Sequence, residues 1–138
     1  MIRITRQTDY AVRVILALSQ EQDGRLVKTK EIQKSMQIPP AFLQRIVAQL
    51  AQSNLVKTFP GRTGGLQLMR KPEEITLRDV LESIEGPMMI SECIPGEDFC
   101  PFESHCPVRR RWARLQSVIL QELSRTTFAD LAKEVVSE

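Results

Sequence analysis

Three cysteines, Cys93, Cys100 and Cys106, stand within fourteen positions, and the chain has no others. Six and then five residues separate them, among them Pro95, Gly96 and Pro101. Those residues favour a turning loop over a helix or strand, so the thiols can converge on one centre. An odd number leaves one thiol over from any disulfide, and in a reducing compartment such a group binds metal or does redox chemistry. Zinc ordinarily draws four ligands from short Cys-x2-Cys pairs, which are absent, so the spacing suits an iron-sulfur cluster better than zinc. A thiol-disulfide switch stays open. Cys106 precedes Pro107, a residue suited to opening a helix, and Arg109, Arg110 and Arg111 follow. A helix N-terminus and nearby cations stabilise a thiolate and an anionic cluster alike, although a solvated face or phosphate contacts would also account for the arginines. His105, the one histidine, competes as a ligand. Its adjacency to Cys106 makes joint ligation of one centre awkward, which points to an outer or exposed role.

The rest of the chain must position those thiols. Its 138 residues, 42% hydrophobic and 26% charged, suffice for one domain with a real core. A net charge of +2 means that any nucleic-acid surface must come from clustered Lys and Arg. The apolar stretch Ala11 to Leu18 is broken by Arg13, is too short to span a bilayer and lacks a secretion cleavage pattern. A cytoplasmic protein with no membrane partner is expected.

Apolar spacing predicts mostly helices. Tyr10, Val14, Ile15 and Leu18 recur at helical intervals, with Thr8 available as N-cap. A turn at Asp23 to Arg25 leads to a short helix capped by Thr29 that buries Ile32 and Met36. Pro39 and Pro40 open the next helix, whose stripe is Phe42, Leu43, Ile46, Val47 and Leu50, and Asn54 can close it. "LVKTF" and "LQLMR" read as strands around the tip "PGRTGG". Thr76 and Asp79 start a helix carrying Leu77, Val80, Leu81 and Ile84 that exits at Gly86. Beyond the cysteines, Val108, Trp112, Leu115, Ile119 and Leu123 form a long apolar face, and "TTFADLAKEVV" is a short terminal helix.

Three helices and a hairpin make the order of a winged helix-turn-helix, mainly α with a small β wing, in which the third helix enters the major groove. Gln44, Arg45, Gln49 and Gln52 lie off the apolar stripe of that helix and include no acidic residue, so they suit base edges or phosphate. Lys57, Arg62, Arg70 and Lys71 add positive charge at the wing tip. Gly61, Gly64 and Gly65 would let backbone approach a phosphate, but no Lys-Ser/Thr pair with a following helix makes them a P-loop. The expected DNA-binding residues are Thr29, Lys30, Pro40, Gln44, Arg45, Gln49, Lys57, Arg62 and Gly64. The expected organisation is a DNA-binding domain over 1–86, a cysteine-rich loop over 87–106, and a dimerisation helix with the terminal helix over 107–138.

The opening "IRITRQTDYAVR", the run "IPPAFLQRIVAQLAQSNLVKTFPGRTGGLQL", "TLRDVLESIEG", the cysteine loop and "TTFADL" together resemble the Rrf-type transcription regulators over essentially the whole chain. The resemblance implies a homodimer paired through the long C-terminal helix, with Val108, Trp112, Leu115, Ile119 and Leu123 at the seam. It implies a cluster on the loop and a double-stranded, roughly palindromic operator, with the protein acting as a repressor. Members of the IscR-like pattern have a histidine three residues after the last cysteine; here that residue is Arg109, which argues against their 2Fe-2S site. NsrR-like members are matched at Asp9, which by that resemblance completes a 4Fe-4S cluster from the partner subunit. Asp9 in a first helical turn also complements the helix dipole without any metal. An electron carrier has no need for a winged helix. A single histidine, no nucleophile motif and no paired carboxylates near the loop argue against an enzyme.

Overall fold

The computed structural model describes residues 3–21, 24–91 and 106–136. Helix α1, Arg6–Ser19, buries Ala11, Val14, Ile15 and Leu18. Its N-cap is Thr5, not Thr8: the Thr8 backbone N–H donates to Thr5 Oγ1 at 3.2 Å. Thr8 is instead a buried residue whose Oγ1 accepts from the Thr5 hydroxyl. The helix therefore begins a turn earlier than expected.

Helix α2, Thr29–Met36, buries Ile32, and its N-cap position is Lys28, so Thr29 is the first helical residue and not the cap. Gln37, at φ 54°, ends it in the left-handed region and turns the chain into α3, Pro40–Gln52. That helix buries Leu43, Ile46, Val47 and Leu50, four of the five stripe positions, with Phe42 packed beside them. Asn54 stands just past its end at φ 60°. The Asn54 N–H donates to the Ala51 carbonyl at 3.1 Å and the Leu55 N–H to the Leu50 carbonyl at 3.0 Å, a Schellman closure that satisfies the last turn's carbonyls.

Strands β1, Val56–Phe59, and β2, Gly65–Leu68, pair antiparallel in the register Val56 to Leu68 and Phe59 to Gly65. Val27 adds a third, single-residue rung by exchanging both backbone hydrogen bonds with Leu66. A Cβ on Gly64 would lie 1.9 Å from the Phe59 carbonyl oxygen, and one on Gly65 would lie 2.7 Å from that of Val27. The hairpin turn therefore demands Gly64, and the Val27 rung demands Gly65.

A short 3-10 turn, Pro72–Glu74, leads to α4, Leu77–Glu85, which starts in the expected reciprocal box between Thr76 and Asp79 and exits at Gly86, φ 81°. Helix α5, Pro107–Arg125, and α6, Phe128–Val136, complete the chain. The join between them is bonded back to the start of α4: the Leu77 N–H donates to the Thr126 carbonyl at 3.0 Å and the Phe128 N–H to that of Ile75 at 2.9 Å. Phe128 is fully buried in the same core as α1, α3 and α4. Thus α6 packs on the winged helix, and α5, held at its C-terminal end by this join, lies against α4.

Candidate nucleic-acid interface and cysteine segment

The apolar stripe of α3 faces the core, and helical geometry then turns the opposite side outward. Gln44 and Arg45 are exposed there, and Gln49 is half-buried at the margin. Pro40, also exposed, opens the helix. Beside α3 lies a groove of about 710 Å³ bounded by Lys28, Thr29 and Lys30 at the start of α2, by Val47, and by Arg62 and Gly64 of the wing turn. The fold thus brings Thr29, Lys30, Arg62 and Gly64 to one groove. Lys28 joins them; "VKTKE" already shows lysines flanking Thr29, but only the helix start places Lys28 on the rim.

The wing's other cations are not at its tip. Lys57 sits mid-strand opposite Gln67, with its ammonium 5.2 Å from the Phe59 ring centroid. Arg70 lies past β2, where it donates to the Glu74 carbonyl and approaches Asp79 at 3.4 Å, and Lys71 borders the 3-10 turn. Arg62 alone of the four occupies the turn between the strands. The expectation for Arg70 and Lys71 fails because "LQLMR" ends as a strand at Leu68, before both residues.

Arg25 organises the approach to α2: its guanidinium bonds both carboxylate oxygens of Glu21, at 3.0 and 3.1 Å, and reaches Glu31 at 3.1 Å. The Arg25 hydrogen bond holds the Glu21 carboxyl below its ordinary range.

Asp9 lies in the first turn of α1 with its side chain half-exposed, and its carboxylate meets Arg13 at 2.9 Å. Arg13 also donates to the Met36 carbonyl at 3.2 Å, where α2 ends, and lies 5.6 Å from the Tyr10 ring centroid. Tyr10 in turn meets Phe42 of α3 edge to face, with centroids 5.7 Å apart. The pairing of Asp9 with Arg13 is visible in sequence as an i, i+4 spacing. The link to Met36 is not, because it depends on how α1 crosses α2.

Cys106 is the N-cap residue of α5, partly exposed and in no disulfide among the described residues. Cys93, Cys100 and His105 lie outside the described residues. Helix α5 buries none of its residues. Val108, Trp112 and Leu115 are exposed, as is Val118, which falls outside the expected stripe; Ile119 and Leu123 are half-buried. Among the described residues no helix is long and apolar enough to cross a membrane.

A third helix with an outward polar face, a hairpin beside it and a basic groove between them define a winged helix-turn-helix DNA-binding protein. Residues 4–134 match the family model of the Rrf2 proteins, described as iron-dependent transcriptional regulators, and the chain belongs to that family. It is 32% identical to a Mycobacterium tuberculosis protein designated an HTH-type transcriptional regulator, over 99% of this chain and 85% of that one. It is 29% identical to the HTH-type transcriptional regulator NsrR of Bacillus subtilis, over 96% and 91% of the two chains. Among solved structures, CymR, the global cysteine regulator of B. subtilis, aligns with a TM-score of 0.81 at 27% identity, over 97% of this chain and 98% of that one. The chain is therefore a transcription regulator, and the relatives it resembles are regulators rather than enzymes.

Proposed function

We propose that this regulator is a homodimeric repressor that grips a roughly palindromic operator with two copies of α3 and the wing, and that an iron-sulfur cluster sets its affinity for DNA. The observation that carries the DNA half is the groove in which the start of α2, α3 and Arg62 of the wing come together. Gln44 and Arg45, exposed on the outward side of α3, are base- or phosphate-seeking groups, while Lys28, Lys30 and Arg62 of the groove supply the charge that meets phosphate.

The cluster half rests on the donor set. Three thiols, Cys93, Cys100 and Cys106, would hold the group, and Asp9 of a second copy would complete a 4Fe-4S rather than a 2Fe-2S site. Cys106 is well suited to bind iron, because its thiol is partly exposed at the positive end of a nineteen-residue helix. When bound, such a cluster supplies a centre whose assembly depends on iron and whose integrity depends on redox state or on a reactive gas such as nitric oxide. The chain's own residues then explain how DNA affinity could follow. Asp9 and the turn between α2 and α3 share the guanidinium of Arg13, so a change of partner at Asp9 is felt at the turn that aims α3. An effect of this kind requires two states with different contacts; one is the structure here, with Arg13 on both Asp9 and Met36, and the other would have Asp9 on the cluster and Arg13 on Met36 alone.

The dimer is supported by α5, whose exposed Val108, Trp112 and Leu115 would otherwise leave an apolar stripe in water. The test is anaerobic purification followed by absorption spectroscopy with iron and sulfide counts. Iron with matching sulfide is expected in the wild type, and a Cys106→Ala protein should be folded but iron-free. A colourless protein loaded with zinc, or one whose DNA binding answers only to disulfide formation, would replace the cluster with a zinc or thiol switch. The Asp9→Ala variant should keep iron but lose it more readily; an unaltered cluster would return Asp9 to its helix-dipole role.

A further inference from the structure

Among the described residues, the cysteine segment meets α5 at both of its ends. Its last thiol, Cys106, directly precedes the first turn of that helix. At the other end, the Ile90 backbone N–H donates to Oε1 of Gln116 at 3.0 Å. Only Ser91 and Glu92 separate that hydrogen bond from Cys93. Gln116 stands about 14 Å along the helix axis from Pro107. It borders Arg78 and Leu120 and stands at the edge of the apolar stripe, one turn on from Trp112. Its side chain is half-buried, and its acceptor meets the backbone where the cysteine segment begins.

We propose that Gln116 is a positioning residue for the thiols: by holding Ile90 to α5, it fixes where the segment starts relative to where it ends at Cys106. This rests on the cluster reading of the three cysteines. Ordering a long segment around a metal centre costs conformational entropy, and a start point already fixed by folding removes part of that cost from the binding step. The role needs an acceptor at this position and nothing else. Glutamate should supply one, and leucine, of similar size, should not.

The experiment uses the full chain as wild type, Gln116→Leu and Gln116→Glu, each reconstituted anaerobically with ferrous iron and sulfide. Cluster loss to a chelator is followed by visible absorbance; exchange of the Ile90 amide and thermal unfolding are measured on the cluster-free proteins. Gln116→Leu should lose its cluster about two- to tenfold faster, the net worth of one hydrogen bond. It should also expose the Ile90 amide while leaving the unfolding temperature of the cluster-free protein nearly unchanged. Gln116→Glu should stay close to wild type in all three. Equal cluster lifetimes in wild type and Gln116→Leu, or a loss in Gln116→Glu as large as in Gln116→Leu, would overturn the assignment. If the wild type holds iron and only the lifetimes fail to differ, the assignment alone falls. A wild type that takes up no iron, with its Ile90 amide still protected through Gln116, removes the cluster reading and this role with it.

Discussion

Helices α3 and α5 carry the same kind of pattern and meet different fates. The stripe of α3 is closed over by its own chain: Leu43, Ile46 and Leu50 are 2% exposed or less. The stripe of α5 is longer, yet Val108, Trp112 and Leu115 are each at least 40% exposed and the helix buries no residue. Amphipathic spacing thus says that a face must be covered without saying by what. For α3 the cover is intramolecular and serves stability. For α5 no described residue closes over the stripe, and a second copy is the partner that the functional reading supplies.

The sharpest way to break this comparison is to make one substitution in both helices. Ile46→Asp places a carboxylate in the core cluster that holds Leu43, Leu50 and Val80, and the winged helix should unfold outright, as loss of the cooperative thermal transition will register. Phe128→Ala should come next, costing about 3 to 5 kcal/mol in denaturant unfolding, because this ring fills the core from beyond α5. A cost below about 1 kcal/mol would mean that α6 is not part of the winged-helix core. Ile119→Asp should do something different: the chain stays folded, and sedimentation shows monomers where the wild type is dimeric. A dimer of unchanged strength would show that the α5 stripe packs elsewhere. Smallest is Arg62→Ala, which leaves fold and assembly intact and should flatten the dependence of log affinity on log salt by about 0.9 if it meets one phosphate. An unchanged slope would leave the wing a purely structural hairpin.

Much of the positioning framework was legible because it is local. The stripe of α3, the Thr76 and Asp79 box of α4, and the hairpin between "LVKTF" and "LQLMR" each depend on neighbours within a few residues. Thr5 and Thr8 present nearly the same capping signal; burial of Thr8 under the core decides between them, and burial is a tertiary property. The Thr127 and Asp130 pair repeats the box of Thr76 and Asp79, but nothing local tells that these two helix starts bond to each other through Leu77 and Phe128. Arg13 and Gln116 escaped for the same reason. Each acts on a backbone atom 23 to 26 positions away, and sequence spacing reaches only one or two turns. The cysteines raise a metal or redox role through residue type and count alone, and Cys93 and Cys100 lie outside the described residues.

The most direct test of the cluster-controlled reading compares operator binding by the anaerobically purified, iron-loaded protein with binding by the same preparation after a chelator has removed the iron, at one fixed salt concentration. Allosteric coupling of ordinary size should separate the two affinities by about 5- to 150-fold. Equal affinity in the two states, with iron and sulfide counts confirming that the cluster was present and then gone, would contradict control of DNA binding by the cluster.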